Sequence, residues 1–178
     1  MKFCSECGKN VTWRIPTGED RERHVCNSCD TIHYQNPRVI TGCLPIYKDK
    51  VLLCKRAIEP RLGLWTLPAG FLENGETSEE GAIRESWEEA RTNLRINHLY
   101  TLFNLPHVNQ LYFFYHATMA DTEFSAGPES LTVELFREDE IPWNSLAFTV
   151  VERTLQYYFN DKKTGDFVFR TEVINKKS

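Results

Sequence analysis

No apolar run in this chain approaches the roughly 18 residues of a membrane-spanning helix, which excludes a helical membrane protein. A strong excess of one charge is also missing. Twenty-one basic against 25 acidic residues leave a net charge of -4, too little basic character for global attraction to nucleic acid, so only a local patch is left open. The opening MKFCSECGKN lacks an apolar stretch behind its lysine and does not read as a secretory signal, so the expected compartment is the cytoplasm. No internal repeat appears. The remaining composition, 41% hydrophobic and 26% charged over 178 residues, suits one substantial domain with a small appendage.

The six cysteines are not scattered. Four form two CxxC pairs, Cys4/Cys7 and Cys26/Cys29, at the spacing of a Cys4 zinc site. A segment this short cannot fold on its own core, so a structural Zn2+ is the preferred reading over a redox pair or a disulfide framework. The turn-rich, charged stretch between the pairs is expected to form a hairpin. His24 and His33 flank the second pair and are read as surface residues, since four thiolates already fill such a site. Cys43 and Cys54 sit in apolar, strand-like surroundings and are expected to be buried thiols.

HYQNPR reads as a linker, because Asn36-Pro37 favours a turn and blocks a helix. The expected organisation is therefore a ribbon over 1–34 and a second domain over 35–178. In the second domain RVITGCLPIY and KVLLCKRA read as a hairpin, with further strands at LYTLFNL, QLYFFYHAT, SLTVELFR and DFVFRTEV. TSEEGAIRESWEEAR and TVVERTLQYYFNDKK read as helices. Strands mixed with two long helices predict an α/β sandwich with helices flanking a mixed sheet.

The first of these helices crowds like charge into RESWEEAR. Thr77 and Glu80 form a capping-box pattern that starts the helix at Thr77, and the acids of its first turn suit the helix dipole. A helical projection puts Ile83, Trp87, Ala90 and Leu94 on one side and Glu85, Glu88 and Glu89 opposite, within roughly 100°. Each like-charge pair costs on the order of 0.2 to 0.5 kcal/mol. A solvated acidic face would explain an arbitrary charge run, but the residues around this one form a longer pattern.

Gly70, Glu76, Arg84-Glu85 and Glu88-Glu89 are spaced as G-x5-E-x7-R-E-x2-E-E. This stretch, Gly70 to Thr92, resembles the signature of the Nudix hydrolases, which cleave a nucleoside diphosphate linked to another group. It departs from the family pattern at Ser86, Arg91 and Thr92, and the arginine in place of glycine predicts a strained or absent left-handed cap at the end of the helix. The resemblance implies an α/β/α sandwich with Glu85 and Glu89 as ligands of Mg2+ or Mn2+ and Glu88 as a further ligand or base. It also implies a supporting role for Glu76, a metal contact from the carbonyl of Gly70, and Arg84 as the residue that orients a glutamate. Hard cations held by carboxylates suit the chemistry, because a diphosphate is anionic and repels a nucleophilic water. The family often carries a second base on a later loop. Glu129 in AGPES is the first candidate for it and Glu134 the second.

Specificity lies outside that stretch. A zinc ribbon ahead of it is found in NADH pyrophosphatases, but their SQPW-type sequence is missing, as is the arginine-rich upstream pattern of coenzyme A pyrophosphatases. YQNP, GLWTLPAGFLENGE, GPESL, DEIP and SLAF, with the CxxC pairs, are similar to the plant plastid-type FAD pyrophosphatases and their bacterial relatives. That resemblance implies hydrolysis of FAD to FMN plus AMP, with ADP-ribose or NADH as the alternative. Pro106 lies near, though not at, the offset of a proline in ADP-ribose-cleaving relatives. Trp65 is the expected stacking residue for a flat ring.

The rival outside enzymology is a zinc-ribbon binding module with a nucleotide-sensing second domain, against which the intact acidic set argues. RNA decapping uses the same bond chemistry but sits less well with net acidity. A small nucleotide substrate, no nucleic-acid partner and a homodimer are the expectations.

Overall fold

The computed structural model describes residues 1–176 and divides into two compact units, Met1–Pro37 and a second beginning at Arg38. In the first unit, β1 (Val11–Arg14), β2 (Arg23–Cys26) and β3 (Ile32–His33) form an antiparallel sheet in that order. The cysteine knuckles flank it: Cys4 and Cys26 are buried, and the amides of Glu6 and Ser28 each donate to the sulfur two residues earlier, both at 3.4 Å. His33 is buried rather than on the surface as expected, because pairing of Val25 with Ile32 and of His24 with His33 turns its ring inward. Trp13 stacks edge-on against His24, its register partner.

The second unit is built on a mixed sheet. Its strands are β4 (Arg38–Tyr47), β5 (Lys50–Arg56), β6 (Trp65–Thr66), β7 (Ala69–Phe71), β8 (Leu94–Leu105), β9 (Gln110–Met119), β10 (Ser130–Phe136) and β11 (Arg170–Val173). The main path runs β10-β5-β4-β9-β8-β11, with β6 on β5 and β7 on β4. The β4/β9 and β8/β11 pairs are parallel; the other pairings are antiparallel. β4 is buried over seven consecutive residues, Ile40 to Ile46, as a strand covered on both faces should be.

Two helices cover the faces. Alternation along β9 sends Tyr115 toward α1 (Ser78–Ala90), where its hydroxyl meets that of Ser78 at 2.7 Å, and sends Phe114 toward α2 (Thr149–Thr164). The main core lies on the α2 side: Leu44, Leu53, Phe103 and Phe114 pack against Val151, Leu155 and Phe159. On the same side the buried Asp161 carboxylate accepts both arms of the Arg170 fork at 2.6 Å and the Tyr100 hydroxyl at 2.8 Å. Cys43 and Cys54 are buried.

α1 begins as its sequence predicts. Thr77 accepts from the Glu80 amide, and Glu80 reaches back to the Thr77 amide, closing the capping box. Its faces depart from the projection. Gly81, Ala82, Ser86, Glu89 and Ala90 are buried, whereas Ile83 and Trp87 are exposed at 39% and 46%. Small residues let the helix lie close on β4 and β7, so Glu89 is buried and Glu85 half-buried while Glu88 stays exposed, and the large apolar side chains point out. Of the two outcomes expected at its end, a strained cap is the one found: Arg91 adopts the left-handed conformation, φ 49°, and its amide donates to the Trp87 carbonyl at 2.9 Å. No helix among the described residues is long and apolar enough to cross a membrane.

Candidate active site

The short strand β7 and the buried side of α1 meet through Gly70 and Glu85. A side-chain carbon on Gly70 would overlap the Glu85 carboxyl group, so Glu85 holds this position only because residue 70 has no side chain. Arg84 then ties the surrounding acids together. Its Nε and Nη2 donate to both oxygens of Glu76 at 3.0 and 2.7 Å, its Nη1 donates to Glu85 at 2.7 Å and to Glu88 at 3.1 Å, and its Nη2 reaches the Phe71 carbonyl at 3.1 Å. The guanidinium is thus engaged by three carboxylates, and its bidentate grip holds Glu76 down at about 2.

Glu85 and Glu89 are shifted the other way. Burial raises Glu89 to about 8, assisted by the nearby charges of Glu85 and Glu129, and Glu89 Oε2 is buried without a hydrogen-bond partner. Burial raises Glu85 as well, despite Arg84. A buried carboxylate with an unsatisfied oxygen beside two other acids is a donor set suited to a hard divalent cation.

Glu129 is brought to this cluster by a loop clamped at both ends. The Gly127 amide donates to the Glu89 carbonyl at 3.0 Å, and the Glu129 carbonyl accepts from Ala57 at 2.8 Å. A side-chain carbon on Gly127 would overlap the Glu88 carbonyl oxygen, so the loop rests directly on the α1 backbone. Glu134 lies exposed on β10 and outside the cavity wall.

Gly70, Arg84, Glu85, Glu88, Glu89 and Glu129 line one cavity of about 780 Å³, within the usual range for small-ligand clefts. Glu76 stands behind it through Arg84. The rest of the wall includes Phe71, Tyr112, Phe114, Phe148 and Arg56, none of them singled out by a motif. Trp65 is a correction. Its ring is buried edge-on against Phe136 at 4.9 Å in the main core, away from the cavity wall, because β6 pairs with β5 and turns the indole inward. Pro106 opens a short 3-10 turn between β8 and β9 and does not line the cavity.

In the ribbon unit the sulfurs of Cys4, Cys7, Cys26 and Cys29 all lie within 4.8 Å of one another. The Cys4–Cys29, Cys7–Cys26 and Cys7–Cys29 separations are 3.7, 3.4 and 3.4 Å, close to the edge of about 3.8 Å expected for a tetrahedron with Zn–S near 2.3 Å. This spacing fits a structural zinc ion.

Comparison with known proteins agrees with this division. Residues 2–35 match the zinc-ribbon family described as Nudix N-terminal, and residues 36–161 match the NUDIX domain. The crystal structure of a NUDIX hydrolase from Nitrosomonas europaea superposes with a TM-score of 0.96 at 51% identity, covering 99% of this chain and all of that one. An ADP-ribose pyrophosphatase of Methanocaldococcus jannaschii is 31% identical over 121 residues, 65% of this chain and 69% of that protein. The NAD-capped RNA hydrolase NudC of Edwardsiella ictaluri is 28% identical over 158 residues, 87% of this chain; the chain spans 59% of that relative's length.

Proposed function

The chain belongs to the Nudix family, and from that premise we propose that it hydrolyses the diphosphate bond of an AMP-containing dinucleotide or nucleotide sugar, FAD first and ADP-ribose second. The observation that carries this reading is a cavity whose wall carries both the carboxylates and several aromatic side chains. The acids suit the phosphates, and Tyr112, Phe114 and Phe148 offer surfaces for a flat ring. The choice of FAD rests on the sequence resemblance. The M. jannaschii relative favours ADP-ribose as the second substrate.

Glu85, Glu88 and Glu89, with the Gly70 carbonyl, would hold Mg2+ or Mn2+. When bound, such ions supply positive charge against the diphosphate oxygens and make water more acidic. The protein's own contributions are distinct. Arg84 fixes the Glu76, Glu85 and Glu88 carboxylates, so the acids do not reorganise when an anion enters. Glu129, fixed by its clamped loop, accepts the proton of the attacking water as the oxygen–phosphorus bond forms and the bridging P–O bond breaks. The products are two phosphomonoesters. The ribbon's Cys4, Cys7, Cys26 and Cys29 would hold a Zn2+ of purely structural use.

A panel of FAD, ADP-ribose, NADH and NAD-capped RNA with Mg2+ or Mn2+, read by product analysis, tests the assignment. Capped RNA belongs in it because of the name of the E. ictaluri relative. AMP with FMN from FAD is expected. Turnover of another member with FAD and ADP-ribose both untouched would overturn it. The homodimer belongs to the same reading and is supported by the exposed Ile83 and Trp87; a monomeric mass by light scattering would defeat it.

A further inference from the structure

The cavity wall carries six carboxylates against three guanidiniums, so an anionic substrate enters a field that repels it. Arg84 contributes little to offset this, since its charge is already shared among Glu76, Glu85 and Glu88. Arg91 lies at the far end of α1 over the Trp87 ring, 5.7 Å from its centroid. Arg56 is different. It is the last residue of β5, half-buried in the cavity wall, and no carboxylate pairs with it among the described residues. Its Nε donates to the Pro60 carbonyl at 2.9 Å, and its guanidinium lies over the Phe148 ring, 5.3 Å from the centroid.

Those two contacts fix the plane of the fork and leave its Nη groups without protein partners among the described residues. The backbone beneath is rigid: the Arg56 amide donates to Leu64 and its carbonyl accepts from Gly63, both at 2.9 Å, while across the strand pair Arg56 faces Ser130, next to Glu129. The side chain shares the cavity wall with Glu85, Glu89 and Glu129 and with Tyr112, Phe114 and Phe148.

We propose that Arg56 is a substrate-binding residue that grips the diphosphate through its guanidinium fork, from a cavity wall that carries both the acids and the aromatic side chains. Phe148 serves as the platform that keeps the fork in plane. This rests on the diphosphatase reading but is separable from it, because gripping a nucleoside diphosphate does not require cleaving it.

The test is calorimetric binding of α,β-methylene-ADP, with Mg2+ present, to the full chain and to its Arg56→Gln and Arg56→Lys variants. The same preparations are assayed for KM and kcat with FAD and ADP-ribose. A charge-assisted, two-point contact predicts affinity lower by about 10- to 100-fold in Arg56→Gln. Lysine should recover only part of it, and KM should rise more than kcat falls. Affinity and KM within twofold of wild type in a folded Arg56→Gln protein overturn the proposal, as does a wild type that does not bind the analogue. If Arg56→Gln fails to fold, unchanged affinity in Arg56→Lys overturns the fork, and an Arg56→Lys loss of about 10-fold or more with an unshifted melting temperature supports it. Arg56-dependent binding without turnover of any nucleotide supports the grip while counting against the diphosphatase reading.

Discussion

Gly70 and Glu85 occupy one another's space: the carboxyl group of Glu85 sits where a side chain on Gly70 would have to be. β7 therefore delivers its backbone to the acidic cluster without a side chain. Gly70→Ala should displace Glu85 and lower turnover on the order of 100-fold, the usual consequence of moving a reacting group by about 1 Å. Steady-state kinetics check this, and an activity within a few-fold of wild type would show that Glu85 need not stand where it does.

Gly127 bears the same relation to the α1 backbone. Gly127→Ala should push the loop off the Glu88 carbonyl, cost about 1 to 3 kcal/mol of stability as an overpacking change, and reduce turnover by moving Glu129. Urea unfolding gives the first quantity and kcat the second. Glu129→Gln should reproduce the loss of kcat without the loss of stability.

The two ends of α1 show what the sequence reveals and what it conceals. The start was legible because a capping box is a local device whose partners lie three residues apart. The buried face was not, because periodicity registers large apolar residues, whereas this helix packs through Gly81, Ala82, Ser86 and Ala90 and sends Ile83 and Trp87 outward. The longer strands and the cysteine tetrad were likewise readable from local pattern, whereas the short β6 and β7 were not. Parallel pairing of β4 with β9, which sets Tyr112 and Phe114 in the cavity, joins segments about 70 residues apart and leaves no local trace. Trp65 shows the same limit, since nothing in GLWTLP distinguishes a core indole from a ligand platform. Arg56 carries no motif; what marks it is the contrast with Arg84, whose partners are all occupied.

Arg91 holds a left-handed cap that glycine would adopt without steric cost. Arg91→Gly should stabilise the fold by about 0.5 to 1 kcal/mol, net of the added freedom of the unfolded chain. A lower unfolding midpoint would mean that the Arg91–Trp87 contact outweighs the backbone strain.

Asp161 is buried, which alone would raise its pKa, but the hydrogen bonds from Arg170 and Tyr100 outweigh burial and leave it below the ordinary carboxylate value. A depressed folded-state pKa contributes stability that is present above the unfolded value and is lost as pH falls through the folded one. Asp161→Asn should therefore cost about 3 kcal/mol at neutral pH, since it leaves Arg170 without its partner, and the gap to wild type should narrow below about pH 4. Denaturant titrations across pH check this; a gap independent of pH would exclude the ionised carboxylate as its source.

Elemental analysis should find one zinc per chain. Stripping it with a chelator should unfold the ribbon, seen as a change in the environment of Trp13. An unchanged ribbon after complete removal would contradict the structural assignment.

The acidic side of α1, proposed as the catalytic site of a nucleotide diphosphatase, is tested by comparing AMP release from FAD and from ADP-ribose by the wild type and by Glu89→Gln, in saturating Mg2+. AMP is expected from the wild type, with a loss on the order of 100-fold or more in the variant at an unchanged fold, since carboxylate ligation supplies several kcal/mol of charge stabilisation. Near-normal rates in a folded Glu89→Gln protein would contradict it.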